Sequence, residues 1–139
     1  MRSPRLARGA LALLALSTAT VGLVASFAPR TFYDEFPFTS HWVDVLPPYN
    51  EHLVTDVGGL YLGFTLLFAL AARTPRRELV RAACLAWAVP ALLHLTFHAT
   101  HLDAFTASDA VAEIASLAAV LALPAVAWWA VGRAAEREG

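Results

Sequence analysis

Four long apolar stretches constrain this chain more than anything else in it. They run from about Leu6 to Phe27, Asn50 to Ala72, Leu79 to His101 and Ala107 to Val131. Crossing the hydrocarbon core of a bilayer takes roughly 20 residues of helix. No water inside lipid satisfies backbone amides, so segments that cross must be helices or a closed barrel. Stretches of this length predict helices. The expected fold class is therefore all-α: an integral membrane four-helix bundle, a single four-span domain over residues 1–139 in contact with the lipid bilayer. Composition agrees. The chain is 58% hydrophobic and only 15% charged, less charge than soluble domains carry.

The first stretch also has the look of a signal peptide, with Arg2, Arg5 and Arg8 ahead of it. "VASFAPR" places bulky Phe27 and then Pro29 where small residues are wanted for cleavage. The expectation is a retained span.

Arginine placement predicts orientation. All ten basic residues are Arg. Arg2, Arg5 and Arg8 precede span one; Arg73, Arg76, Arg77 and Arg81 bracket the turn between spans two and three; Arg133 and Arg137 follow span four. Only Arg30 falls on the other side. The positive-inside rule then makes both termini cytoplasmic, in a bacterial-type plasma membrane. The carboxylates Asp34, Glu35, Asp44, Glu51, Asp56, Asp103, Asp109 and Glu113 gather toward the outer side, leaving Glu78, Glu136 and Glu138 inside. All five histidines (His41, His52, His94, His98 and His101) lie outside too.

Three classes of function are disfavoured at once. A net charge of −1 gives no general attraction to nucleic acid. The single Cys84 permits neither an internal disulfide nor a cysteine zinc knuckle, and reads as a small packing residue.

The outer ends of the spans carry the chemistry. In "PALLHLTFHATHLD", His94, His98 and His101 are spaced by four and then three, which sets them on one helical stripe. Pro90, four residues before His94, predicts a kink. In "PPYNEHLVTDVGGLYLGF", Asn50 is a candidate N-cap after Pro47 and Pro48. His52, Asp56, Gly59 and Gly63 share one face there, and the glycines invite a close neighbouring helix. In "FTASDAVAEIAS", Thr106 and Asp109 fit a capping box, and Asp109, Glu113 and Ser116 share a face. Glu113 is two turns deep, where an ionisable group should face protein or water. Three helices thus carry polar stripes at one depth, and turning all of them inward is the expected arrangement.

The loop from Pro29 to Tyr49 holds Phe32, Tyr33, Phe36, Phe38, Trp42 and Tyr49. It reads as an interfacial aromatic belt or as a lid over a polar cavity, with Asp34, Glu35 and His41 near its rim. Trp128 and Trp129 read as an inner belt.

Histidine with carboxylate suits zinc or iron, and more imidazole favours copper. Carboxylates from facing helices are how bundles build metal sites. The expected transition-metal ligands are His52, His94, His98 and His101, with Asp56 and Glu113 as catalytic or ligating carboxylates, serving redox or hydrolytic chemistry or metal handling. Neither HEXXH nor the paired Glu-x-x-His of di-iron bundles occurs. Three alternatives stand beside this one. A metal-free acid–base enzyme would act on a lipophilic small molecule. Histidines on two helices would ligate haem, or the site would take a quinone. A polar plug would fix helix register in a subunit of a larger membrane complex or a homo-oligomer.

"PYNEHLVTDVGGLYLGF", with four helices and an outward aromatic loop, resembles small bacterial membrane proteins with a DoxX-like bundle. The "RD-GG" character of that group appears here as "TDVGG", with Thr55 in the basic position. The resemblance implies the fold and carries over no catalytic residue.

Overall fold

The computed structural model describes residues 3–46 and 48–135. Arg2, Pro47, Glu136, Arg137 and Glu138 of the charge and capping readings lie outside them. Four long helices are present: α1 (Ser3–Phe27), α3 (Glu51–Arg73), α4 (Arg77–Ala99) and α5 (Ala107–Ala135). All four are long and apolar enough to cross a membrane. At 23 residues, α3 and α4 are each about 35 Å long, against a hydrocarbon thickness of about 30 Å. This is an all-α, multi-pass membrane protein.

Local chemistry sets the helix ends. Asn50 Oδ1 accepts from the Leu53 amide at 3.2 Å, capping α3. Thr106 Oγ1 accepts from the Asp109 amide at 3.2 Å, the N-cap half of the expected box at the head of α5, and donates to the Asp109 carboxylate. Helix α4 continues through Pro90 to Ala99.

One element was not expected. Residues Pro29–Glu35 form a short helix, α2. Proline suits the first helical position because its missing amide would be unpaired there anyway. Arg30 Nε donates to Asp34 Oδ2 at 2.6 Å across one turn. That bond raises the Arg30 guanidinium above its ordinary range. The guanidinium also lies over Tyr33 and Tyr49, 5.8 and 5.0 Å from the ring centroids. Desolvation, and after it the Glu51 carboxylate, pushes the Tyr49 phenol up.

The long helices pack in a ring. α1 contacts α3 and α5, α4 leans on α5, and α3 and α4 meet more lightly. The apolar core sits at the arginine-rich end. It contains Leu11 and Leu14 of α1, Phe68 of α3, Val80, Cys84 and Trp87 of α4, and Ala127 and Val131 of α5. Trp87 anchors it, presenting or receiving ring edges from Tyr61, Phe64 and Phe68 at 5.1–5.8 Å. Removing α1 would strip Leu11, Leu14 and Thr18, each fully buried, from the bundle.

At the other end, packing is by backbone approach. A Cβ at Gly58 would stand 2.6 Å from the Ser26 amide nitrogen, and one at Gly22 would stand 2.9 Å from that of Leu62. Only residues without side chains let α1 and α3 cross this closely. Midway along the same seam, Thr65 Oγ1 donates to Thr18 Oγ1 at 2.9 Å. Gly59 and Gly63, which the sequence left open between an internal contact and a homodimer, make no internal one: a Cβ at either meets nothing within 4 Å. The inward face of α3 runs through Val54, Gly58, Thr65 and Phe68, and the Gly59–Gly63 stripe faces away.

Candidate functional site

Helix α4 climbs away from the arginine-rich end and α5 returns toward it. The connection between them places the last turn of α4 beside the second turn of α5. There His98 Nδ1 and Glu113 Oε1 stand 2.6 Å apart, with side chains 9% and 4% exposed. The contact is close, but it lies off the direction of the ring N–H. By hydrogen-bond geometry Nδ1 therefore has no partner, and neither does Glu113 Oε2, among the described residues. We read the contact as an ion-pair-type approach. Two proton arrangements fit it: imidazolium beside carboxylate, or neutral ring beside carboxylic acid. They differ in the place of one proton. The backbone below is tied down, since Ser116 Oγ donates to the Glu113 carbonyl at 2.8 Å.

His94 lies one turn below His98, its ring edge-on at a centroid distance of 4.5 Å. It is exposed on the bundle surface, which in a membrane span is the lipid-facing side. His101 is also exposed and has a different task. Its Nδ1 reaches the Phe97 carbonyl at 2.8 Å, and since a carbonyl only accepts, Nδ1 carries the proton. The ring stacks on Phe97 at 4.1 Å. His101 closes the end of α4 and stands at the rim of the site.

The expected convergence of three helices is only partly present. His52 and Asp56 pair with each other at 3.4 Å on the outside of α3, with side chains 81% and 58% exposed. Their stripe follows Gly59 and Gly63 away from the bundle, because Gly58, one residue off that stripe, occupies the crossing with α1. Among the described residues, no three His, Cys, Asp or Glu side chains assemble in a way that could hold a metal ion. What the fold brings together is His98 and Glu113, with His94 beside them.

The aromatic loop is fastened over the head of α5. Trp42 Nε1 donates to Asp109 Oδ1 at 3.3 Å, across 67 residues of sequence. Asp109 lies one turn from Glu113 on the same stripe, so the loop is anchored on the loop-end side of the pair. Tyr33 Oη donates to the Asp44 carbonyl at 3.4 Å, and His41 lies 3.3 Å from Asp44. Phe38, Thr39 and His41 all adopt positive φ, at 49°, 72° and 57°, a conformation non-glycine residues hold only where surrounding contacts impose it. Sequence reasoning raised the lid but not its fastening. The signal for that was Trp42 itself, an indole among phenyl rings whose N–H needs an acceptor.

No family model matches the chain, and neither does any curated protein or solved structure.

Proposed function

We propose that this membrane protein is a metal-free acid–base catalyst acting on a lipophilic substrate that reaches it sideways from the bilayer. The observation that carries the reading is the buried His98–Glu113 pair with an unpartnered carboxyl oxygen. Buried polar atoms nearly always find partners, so Oε2 is a free acceptor or donor within the span. The pair can hold one proton in either of two places, which is what general acid–base chemistry needs. His94 extends the pair to the lipid-facing surface of α4. On the opposite side, Asp109 and Trp42 lead toward water.

The reaction class is isomerisation. A proton leaves one position of the substrate for the pair, and one is returned to another position, so no oxidant or reductant is consumed. The arginine distribution supports an orientation with this site on the extracytoplasmic side.

The test is lipid analysis of producing cells that lack the gene. Accumulation of a lipid-soluble precursor is expected, reversed by the wild-type chain and not by Glu113→Gln or His98→Ala present at equal amount. Full reversal by Glu113→Gln would make the pair a structural tie. A transition metal bound stoichiometrically by the wild-type chain, and lost in His94→Ala and His98→Ala, would replace acid–base chemistry with a metal centre.

A further inference from the structure

We infer that the groove between α4 and α5 at the arginine-rich end binds the phosphate of an anionic phospholipid, and that Arg81 holds it. Arg73, Arg76 and Arg77 stand exposed, but Arg81 is half-buried. Its guanidinium lies over the Trp128 ring of α5, 4.7 Å from the centroid. A Cβ at Gly132, one turn further along α5, would stand 3.8 Å from Arg81 Nη2, so the glycine leaves space beside that end of the guanidinium. Arg81 Nε is buried and has no hydrogen-bond partner among the described residues. No carboxylate among the described residues pairs with Arg81 either. Depth makes this lone cation unusual. Arg81 follows the start of the 23-residue α4 by four residues, about 6 Å along the axis, while such a helix extends only about 2–3 Å beyond the hydrocarbon at each end. Its Cα therefore lies just inside the hydrocarbon, and its side chain is long enough to reach the level of the phosphates.

The occupant follows from charge and shape. A cation partly withdrawn from water needs an anion. The bilayer supplies one at this depth, in its phosphate groups. Arginine suits phosphate because two of its N–H groups meet two oxygens of one group. Trp128 fixes the plane of the guanidinium by lying against one face, and the space at Gly132 admits the phosphate at the Nη edge. The surroundings select the headgroup. Four arginines and one glutamate lie between residues 73 and 81, a field that draws a net negative lipid and would set the ammonium of a choline headgroup among like charges. Basic pockets between membrane helices hold anionic headgroups in this way. The site is at the opposite end of α4 and α5 from His98 and Glu113, so it stands apart from the acid–base reading.

The test is native mass spectrometry of the full-length chain in detergent micelles, titrated with phosphatidylglycerol, phosphatidylcholine or soluble glycerol 3-phosphate. One phosphatidylglycerol per chain is expected to bind about tenfold more tightly than phosphatidylcholine, with glycerol 3-phosphate failing to bind at the same concentrations. Arg81→Gln should weaken phosphatidylglycerol binding about tenfold or more, and Arg81→Lys should restore only part of it, because lysine keeps the charge and loses the fork. Gly132→Leu should weaken it as well while leaving every charge in place, and its thermal midpoint reports separately on folding. Arg8→Gln, which removes an exposed charge from α1 at the same end, should change binding by less than about twofold. Equal affinity for the two lipids, full restoration by Arg81→Lys, or an Arg8→Gln loss as large as that of Arg81→Gln would reduce the site to general surface charge and overturn the inference. Tight binding of glycerol 3-phosphate alone would overturn it in favour of a soluble phosphate ligand.

Discussion

Replacing His98 with Ala is expected to destabilise the protein by about 3–5 kcal/mol, the usual consequence of removing one partner from a buried pair. The reason is what remains. The Glu113 side chain is 4% exposed, its Oε2 already lacks a hydrogen bond, and without the imidazole neither oxygen would have a side-chain partner. The double replacement His98→Leu/Glu113→Leu should recover most of the loss, because apolar residues of similar volume often substitute for a buried pair at no net cost. Reversible unfolding in detergent micelles reads both. The double variant separates stability from chemistry: it should fold like wild type and still fail to reverse precursor accumulation. A loss well under about 1 kcal/mol for His98→Ala would show that the pair does not hold α4 to α5.

Gly58→Val is the second large effect expected. The new Cβ would stand 2.6 Å from the Ser26 nitrogen and 2.9 Å from the Ala25 carbonyl carbon, and would press on the Ser26 hydroxyl as well. These are mainly backbone atoms of a long helix, and they cannot turn aside as a flexible side chain does. Overpacking of this kind destabilises by about 1–3 kcal/mol, and more where the backbone cannot yield. The neighbouring Gly59→Val should leave the monomer unharmed, since its Cβ meets nothing. The same unfolding experiment compares them. Equal midpoints for the two variants would contradict the close α1–α3 crossing.

These two glycines also show where sequence reading stopped. The spans were legible because a bilayer demands long apolar runs, and observed α3, Glu51–Arg73, differs little from the expected 50–72. Caps were legible because Asn50 and Thr106 act within one turn. Glu113 was legible as an inward residue because a carboxyl two turns deep has few other places to go. The facing direction of α3 was not. Lipid tails are as apolar as leucine, so hydropathy does not distinguish the stripe through Gly58 from the one through Gly59. The polar residues His52 and Asp56 then pointed to the wrong stripe. The metal expectation failed to gain support at the same step, because it needed α3 to add ligands to His94 and His98. The fastening of Trp42 to Asp109 joins distant parts of the chain, and no local pattern encodes it.

The most direct measurement is infrared difference spectroscopy of the purified protein in lipid, following the carboxyl C=O stretch of Glu113 as pH is varied between about 4 and 9, the range that brackets ordinary carboxyl and imidazole titration. Proton exchange within the pair predicts a pH-dependent band that vanishes in Glu113→Gln and moves in His98→Ala. A Glu113 carboxyl signal unchanged across that range, and indifferent to the loss of His98, would contradict it.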